Sequence, residues 1–328
     1  MKNYYMGIDV GSVSTNIVLI DEDHKVVFNK YLRTMGRPID VLKEGLKELK
    51  EEKGEVNILG VGVTGSGRYL ANLIVGADIV KNEITSHSVS ALNQYPKAKT
   101  VIEIGGQDSK IIIIRNGIVV DFAMNTVCAA GTGSFLDRQS LRLGIDIKEF
   151  GKMALKSTSP VRIAGRCAVF AESDMIHKQQ LGHNSEDIIR GLCEALVRNY
   201  LNNVGKGKEI LGPIVFQGGV AANEGIKKAF EMELGEELFI PENFGVMGAL
   251  GVALIAKREV KGKGKTNFKG LDIADVEYRV KGFECDGCGN LCEVVEVLGD
   301  GNILARYGDR CGKWSNSIDK ESKDIRLA

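Results

Sequence analysis

One pattern occurs twice in this sequence: an apolar strand, a turn rich in glycine, and a second apolar strand. In the first copy, residues 5–10 and 16–20 flank a turn at residues 11–15. In the second copy, residues 100–104 and 110–114 flank a turn at residues 105–109. Short apolar runs on either side of a glycine turn predict a hairpin. The repetition therefore predicts a duplicated fold with two similar halves.

Helices are predicted between and after these hairpins, because apolar residues recur there at helical spacing. The predicted helices cover residues 39–50, 134–143, 168–181, 186–203 and 245–256. Further strands are expected at residues 57–63, 118–122 and 213–217. Strands that alternate with helices predict an α/β chain.

The charge balance excludes a large electrostatic field. The chain has 328 residues, with 43 basic and 43 acidic side chains and a formal net charge of zero. We therefore expect neither nucleic acid nor an anionic membrane as a partner. The first residues lack a signal-peptide pattern, and no apolar run approaches the ~20 residues of a membrane span. These features predict a cytoplasmic protein, where seven cysteines indicate metal or redox chemistry rather than disulfides.

A change of composition at residues 257–270 predicts a domain boundary. This segment is rich in lysine and glycine and nearly free of apolar residues, which is typical of a flexible linker. We expect a two-lobed body at residues 1–256, with lobes of about 1–97 and 98–256. Residues 271–328 would then form a small β-rich module.

Three glycine loops after strands have the composition of phosphate-binding loops, which bring backbone N–H groups close to anionic oxygen atoms. The candidate nucleotide-binding residues are Gly11, Ser12, Ser14, Thr15, Gly105, Gly106, Gly218, Gly219 and Asn223. The candidate catalytic residues are Asp9, Glu103, Gln107 and Asp108. Asp9 would hold Mg²⁺ through water, and Gln107 or Asp108 would orient the attacking water. The order of the loops resembles the actin, hexokinase and chaperone ATPase superfamily, whose two ribonuclease-H-like halves close over ATP.

Two cysteines, Cys128 and Cys167, each precede a predicted helix. Free N–H groups at a helix start favour an anion, such as a thiolate bound to a cluster. Cys193 lies in an apolar helical pattern and is interpreted as a core residue. A cubane cluster usually takes four thiolates, so two cysteines per chain would need a two-fold axis.

The segments around these loops and cysteines resemble one family closely. Residues 7–15, 63–68, 82–87, 104–110, 128–139 and 166–174 are similar to the ATP-dependent activators of 2-hydroxyacyl-CoA dehydratases and to the ATPase subunits of benzoyl-CoA reductase. The resemblance covers roughly residues 3–256. It implies a homodimer with one 4Fe–4S cluster held by Cys128 and Cys167 of both copies. It also implies a ferredoxin or flavodoxin donor, ATP-driven movement of the helices that present the cluster, and an iron–sulfur acceptor such as an acyl-CoA dehydratase.

The sequence departs from the family in one catalytic position and extends beyond it at the C-terminal end. Glu103 stands where relatives often have aspartate, which puts the rate of hydrolysis in question. Beyond the resemblance, Cys285, Cys288, Cys292 and Cys311 predict a metal site on a short β scaffold. Structural zinc is narrowly favoured there, and a second iron–sulfur cluster stays open. The module would either aid folding or contact the partner, and the sequence does not separate these roles.

Two other functions are compatible with the same fold. One is a small-molecule kinase with Asp108 as the base. The other is an ATP-gated binding or chaperone-like module without electron transfer. Neither needs iron, so iron content separates both from an activator.

Overall fold

The computed structural model describes residues 2–125, 127–262 and 265–315. Its contacts divide the chain into two compact units. Unit 1 comprises Met1–Asn82 with Gly248–Ala328, and unit 2 comprises Glu83–Met247. In the described residues, no helix is both long and apolar enough to cross a membrane.

Unit 1 contains a mixed five-stranded sheet with the order β3-β2-β1-β4-β5. The first hairpin supplies its antiparallel pair β1 and β2, and β4 adds in parallel to β1. The strands are β1 Asn3–Val10, β2 Ser14–Ile20, β3 Val26–Arg33, β4 Asn57–Thr64 and β5 Ile79–Val80. The helices are α1 Pro38–Lys53 and α2 Arg68–Val75.

Unit 2 contains a second sheet with the order β10-β9-β6-β7-β8. Its strands are β6 Thr100–Ile104, β7 Ser109–Arg115, β8 Ile118–Asn125, β9 Ile214–Gln217 and β10 Leu238–Phe239. Counted from the hairpin, both sheets have the same strand order and the same strand directions. This agreement confirms the predicted duplication. The helices are α3 Glu83–Gln94, α4 Gly133–Leu143, α5 Ile147–Leu155, α6 Ala168–Gln180, α7 Ser185–Asn203 and α8 Glu224–Leu234.

Helix α9, Met247–Glu259, packs on the unit 1 sheet through close backbone contact. A Cβ atom on Gly7 of β1 would lie 1.9 Å from the carbonyl oxygen of Ala249. A Cβ atom on Gly62 of β4 would lie 2.5 Å from the carbonyl oxygen of Val252. Only glycine at both strand positions allows the helix to come this close. The second half of the chain therefore returns to complete unit 1, which differs from the predicted lobe boundary near residue 97.

The segment predicted as a flexible linker is docked along unit 1. Helix α9 continues to Glu259, and residues 265–270 belong to neither a helix nor a strand. Asp78 accepts hydrogen bonds from the Thr266 hydroxyl at 2.6 Å and from the backbone N–H of Asn267 at 2.8 Å. Lys269 Nζ donates to the carbonyl oxygen of Leu73 at 2.7 Å. Lysine and glycine content alone did not reveal these contacts.

The residues after this segment also join the unit 1 core. Ile273 and Ala274 are buried in it, and Phe268, Leu271 and Tyr278 pack against it. A three-stranded antiparallel sheet follows, in the order β11-β12-β13. Its strands are β11 Tyr278–Glu284, β12 Glu293–Gly299 and β13 Asn302–Tyr307.

Candidate functional site

The phosphate-loop candidate in unit 1 begins at Asp9, near the end of β1. Asp9 pairs with Asn16 on one side and with Thr64 on the other. Gly65 follows Thr64 with a positive φ of 92°, and a Cβ atom there would lie 2.5 Å from Asp9 Oδ1. Among the described residues, Asn16 Oδ1 and Thr64 Oγ1 are buried without a hydrogen-bond partner. A half-exposed carboxylate beside unsatisfied polar atoms is compatible with a hydrated cation or phosphate.

Of the candidate nucleotide-binding hydroxyl groups in the turn after β1, two lie near solvent and a third is buried. Gly11 N–H donates to the carbonyl oxygen of Ser14 at 2.8 Å, which closes the turn. Ser12 is exposed and Ser14 is partly exposed, so both hydroxyls lie near solvent. Thr15 is fully buried, and its Oγ1 lies 3.1 Å from Thr34 Oγ1. The structure thus corrects the assignment of Thr15, which contributes to the hairpin interior rather than to ligand binding.

In unit 2, the second hairpin contains a buried ammonium group, that of Lys110. This residue lies directly opposite Glu103 in the β6–β7 pair and is 2% exposed. Its Nζ lies 2.7 Å from Asp108 Oδ2, 2.8 Å from Glu83 Oε2 and 3.0 Å from Glu103 Oε2. We call Lys110, Glu83, Glu103 and Asp108 the Lys110 cluster. It holds one cation among three carboxylates.

The unequal charge of the Lys110 cluster shifts the pKa values of its members. Burial raises the pKa of Glu103 to about 8, and the charge of Lys110 only partly opposes this. Burial alone would lower the pKa of Lys110, but the carboxylates of Glu103, Asp108 and Glu83 overcome it and hold that pKa well above its ordinary value. The ammonium therefore stays charged, while Glu103 takes up a proton near neutral pH.

A buried histidine lies next to the cluster. Burial, together with the charge of Lys110, lowers the pKa of His87 to about 3. Its Nδ1 lies 2.8 Å from Nε2 of Gln217, the last residue of β9. His87 is therefore neutral at physiological pH, and it ends the segment at residues 82–87 that carries part of the family resemblance.

The loop at residues 105–108 is closed around Asp108. Gly105 N–H donates to the carbonyl oxygen of Asp108 at 3.0 Å, and a Cβ atom on Gly105 would lie 2.8 Å from Asp108 Oδ1. Asp108 Oδ2 is engaged by Lys110. Gln107 is the exposed member of the loop. Of the two residues predicted to orient water, Gln107 therefore faces solvent and Asp108 is anchored to the cluster.

The third loop packs on the second within unit 2. Gly218 has a positive φ of 89°, and a Cβ atom there would lie 2.4 Å from the carbonyl oxygen of Ile104. The same atom would lie 2.8 Å from Glu103 Oε1, so glycine is required above this carboxyl group. Gly219 is exposed at the start of a short 3-10 turn.

Asn223, at the end of the third loop, caps a helix. Its Oδ1 accepts a hydrogen bond from the backbone N–H of Ile226 at 3.0 Å and so caps the start of α8. Its Nδ2 is buried without a partner among the described residues. The structure thus corrects the prediction in part, because half of this amide is committed to the helix rather than to a nucleotide.

The raised pKa of Glu103 predicts a loss of stability with rising pH. The folded protein binds more protons than the unfolded chain between pH 4.5 and about 8, so this contribution is full below pH 4.5 and is lost as pH rises through 8. His87 has the opposite sign, but only below its ordinary pKa of 6.5. Between pH 6.5 and 8, we expect the free energy of unfolding to fall by up to about 1.4 kcal/mol per pH unit.

Urea unfolding of the unmodified protein and of Glu103→Gln across this pH range measures the effect. The amide does not titrate, so the variant should lose the slope. Equal slopes in the two proteins would show that Glu103 has no raised pKa.

Cys128 and Cys167 lie at the starts of helical segments, as the sequence predicts. Cys128 directly precedes the 3-10 turn Ala129–Gly131, and Cys167 directly precedes α6. Both thiols are partly exposed, and neither caps its helix with its side chain. The free N–H groups of both segments therefore remain available near the sulfur atoms.

Large apolar side chains beside both cysteines are exposed. The exposed fraction is 96% for Val127, 68% for Val169 and 65% for Phe170. Exposed apolar side chains thus flank both of the partly exposed thiols.

The other cysteines divide as follows. Cys193 is fully buried in the unit 2 core, and burial raises its pKa to about 12, which confirms the core interpretation.

In the C-terminal module, Cys285 N–H donates to the carbonyl oxygen of Cys292 at 2.8 Å and closes a tight loop. Cys285 is buried, whereas Cys288 and Cys311 are exposed. Within residues 2–125, 127–262 and 265–315, no three Cys, His, Asp or Glu side chains form a group that could hold a metal ion.

Comparisons with known proteins agree with these features. The sequence profile of the BadF/BadG/BcrA/BcrD ATPase family matches residues 6–256. The (R)-2-hydroxyglutaryl-CoA dehydratase activating ATPase of Acidaminococcus fermentans is 35% identical over 267 residues, which cover 79% of this chain and 99% of that protein. A benzoyl-CoA reductase subunit of Thauera aromatica is 28% identical, with 76% of this chain and 91% of that protein covered.

A solved structure gives the same result for the fold. The activator of the 2-hydroxyisocaproyl-CoA dehydratase from Clostridium difficile, with bound ADPNP, superimposes with a TM-score of 0.72 at 32% identity. The match covers 79% of this chain and 96% of that chain. The duplicated ATPase fold predicted from the sequence is confirmed.

Proposed function

This chain belongs to the BadF/BadG/BcrA/BcrD ATPase family, and we propose that it is an ATP-hydrolysing activator that passes a low-potential electron to an iron–sulfur enzyme. The proposed acceptor is a 2-hydroxyacyl-CoA dehydratase or a related reductase, since relatives are activators of such dehydratases. The observation that carries the proposal is the pair Cys128 and Cys167, each at a helix start and each beside exposed apolar side chains.

The nucleotide-binding residues support ATP as the energy source. In unit 1, Gly11, Ser12 and Ser14 offer backbone and hydroxyl donors, and Asp9 would hold Mg²⁺ through water. In unit 2, the loop with Gly105, Gly106 and exposed Gln107 and the turn at Gly218 and Gly219 offer bare backbone. Each unit also has a buried polar atom without a partner among the described residues, Thr64 Oγ1 in unit 1 and Gln217 Oε1 in unit 2, and each would accept a polar group of a ligand in its own unit.

The two cysteines fit a shared 4Fe–4S cluster with two ligands from each copy of a homodimer. When bound, such a cluster supplies a one-electron carrier. The chain itself contributes partly exposed thiols and the free N–H groups of two helix starts, which favour an anionic ligand. Val127, Val169 and Phe170 would be covered by the second copy. A ferredoxin or flavodoxin is the proposed donor.

ATP hydrolysis would supply the free energy for a strongly reducing transfer. For the transfer of one electron, each step of about 59 mV toward a more negative potential changes the equilibrium constant tenfold. A nucleotide that prefers one conformation of the chain by about 5 kcal/mol would shift the population almost completely.

The C-terminal module is proposed to hold zinc or a second cluster through its four cysteines. The loop closed by Cys285 and Cys292 fits a metal-binding turn. However, the four thiols are not gathered as a ligand set, and no step of the reaction is assigned to this module.

ATP-dependent activation of a dehydratase tests the proposal. The protein is reconstituted with iron and sulfide, reduced with dithionite, and mixed with a 2-hydroxyacyl-CoA dehydratase that lacks its own activator. We expect dehydration only with MgATP, and none with Cys167→Ala. A protein that hydrolyses ATP but stays free of iron after reconstitution would contradict the proposal and favour a kinase or binding module.

A further inference from the structure

The second phosphate loop is hydrogen-bonded directly to the helix that follows Cys128. Gly133 N–H donates to the carbonyl oxygen of Gly105 at 2.8 Å, and Ser134 N–H donates to that of Gly106 at 2.8 Å. The Ser134 hydroxyl also donates to the Gly106 carbonyl oxygen. The first two residues of α4 are thus bonded to the two glycines proposed to contact phosphate.

The chain between Cys128 and α4 is fixed by local hydrogen bonds. Its residues Ala129–Gly131 form a 3-10 turn, and buried Thr132 donates to the Ala129 carbonyl oxygen through its N–H at 3.0 Å and its hydroxyl at 2.8 Å. On the other side, Asn125 Nδ2 donates to the Cys128 carbonyl oxygen at 2.7 Å, and Asn125 Oδ1 accepts from Cys128 N–H at 3.0 Å. A displacement of α4 would therefore be transmitted to Cys128.

Asn199 lies between the two cysteine loops. It is 2% exposed on α7, and its Nδ2 donates to the carbonyl oxygens of Gly165 at 2.6 Å and Arg166 at 3.2 Å, just before Cys167. Its Oδ1 lies 2.7 Å from where a Cβ atom on Gly131 would be, so Gly131 is in direct contact with this amide. One buried side chain thus contacts the turn after Cys128 and the loop before Cys167.

The two helices that follow the cysteines are also connected to each other. Glu172 on α6 accepts from Arg138 Nε at 2.9 Å and from Arg142 Nη1 at 2.8 Å, both on α4. The two bonds join α4 and α6 one to two turns from their starts. The two arginine side chains are 70% and 46% exposed, so these ion pairs are weak and couple α4 to α6 less firmly than a buried contact would.

We propose that Asn199 is a positioning residue that couples the two cysteines, so that a nucleotide at the Gly105–Gly106 loop changes the surroundings of Cys167 as well as Cys128. The inference rests on the proposed function only in requiring that a nucleotide binds. It needs no cluster, because every contact in the path belongs to this chain. The hydrogen bonds of Ser134 form the first step of the path, and the amide of Asn199 forms the last.

Alkylation of the two thiols tests the coupling without iron. The full chain, freed of iron, is treated with iodoacetamide with and without MgADPNP, and modification of Cys128 and Cys167 is followed by peptide mass spectrometry. We expect the nucleotide to change both rates, on the order of fivefold, as for coupled sites in general. Asn199→Ala should keep the response of Cys128 and lose that of Cys167.

Two further variants make the result specific. Asn203→Ala removes a hydrogen bond to Asn199 Oδ1 but leaves the Asn199 amide in place, so it should respond like the unmodified protein. Ser134→Ala removes one bond to Gly106 at a partly exposed site and should weaken both responses, which keeps the test open if Asn199→Ala does not fold.

Two outcomes would overturn the inference: nucleotide binding that leaves both alkylation rates unchanged, or an Asn199→Ala protein in which both cysteines still respond fully. Failure of MgADPNP to bind, measured by calorimetry on the same sample, would instead count against the proposed function, and the inference would fall with it.

Discussion

Replacement of Lys110 by methionine is expected to lower the free energy of unfolding by about 3–5 kcal/mol, the usual cost of removing one partner from a buried ion pair. Methionine has a similar length but no charge. The change would leave the carboxylates of Glu83 and Asp108, 2.8 Å and 2.7 Å from Lys110 Nζ, without their cation, whereas Glu103 is mostly protonated at neutral pH. Urea unfolding at neutral pH, followed by circular dichroism, measures the loss.

A second lysine gives a matched control. Lys208 Nζ also lies 2.7 Å from a carboxylate oxygen, that of Asp121, but this aspartate side chain is 50% exposed. Lys208→Met should therefore cost less than about 1 kcal/mol. Adding Glu103→Gln to Lys110→Met should recover little of the loss at neutral pH, because Glu103 is already mostly protonated there. A Lys110→Met protein as stable as Lys208→Met would show that the cluster contributes little.

Replacement of Cys128 by alanine is expected to remove nearly all iron and sulfide from the proposed homodimer. A cluster shared across a two-fold axis loses two of its four thiolates by this single change. The measurement is iron, sulfide and zinc per dimer after anaerobic purification and reconstitution.

The control variant is Cys285→Ala, which removes a cysteine of the C-terminal module. It should keep the iron of the shared cluster, and a loss of zinc would identify the metal of the module. If iron persists in Cys128→Ala and disappears in Cys285→Ala, the cluster is bound by the C-terminal module and not by Cys128. An unmodified protein free of iron after reconstitution would exclude the shared cluster.

The duplicated fold could be predicted because its signals are local. Apolar runs and glycine turns specify each hairpin within about fifteen residues of chain, and both hairpins form as expected. Strand β3 was missed because it is an edge strand with exposed polar residues, so its apolar alternation is weak. The return of α9 to unit 1 was missed because its partners Gly7 and Gly62 are distant in sequence.

The candidate site was predicted only where backbone shape decides the residue type. Glycine is required at positions 105 and 218, because a Cβ atom would lie 2.8 Å from Asp108 Oδ1 at the first and 2.4 Å from the carbonyl oxygen of Ile104 at the second. Such glycines can be recognised directly in a sequence. The Lys110 cluster was missed, because its four members come from two strands, a loop and a helix. One signal was available: a lysine begins the run of isoleucines in β7, where a buried charge needs a partner.

The side-chain tasks of Thr15 and Asn223 were also beyond local reasoning. Both stand in glycine loops where a hydroxyl or amide is expected to meet phosphate. Instead, the Thr15 hydroxyl contacts the hydroxyl of Thr34, and Asn223 Oδ1 accepts a hydrogen bond from the N–H of Ile226. Neither partner can be identified from the sequence of the loop alone.

The docked segment after α9 brings residues beyond the family match into the core of unit 1. The family match ends at residue 256, and the Acidaminococcus fermentans relative, of which 99% is matched, has little sequence beyond it. In this chain, Lys43 and Lys50 of α1 bond to Val276 and Asp272, next to the buried Ile273 and Ala274. Removal of residues 271–328 would expose this face of α1 to water. The extension therefore completes the core of unit 1 and stabilises its first helix, so it is part of the folding unit of unit 1.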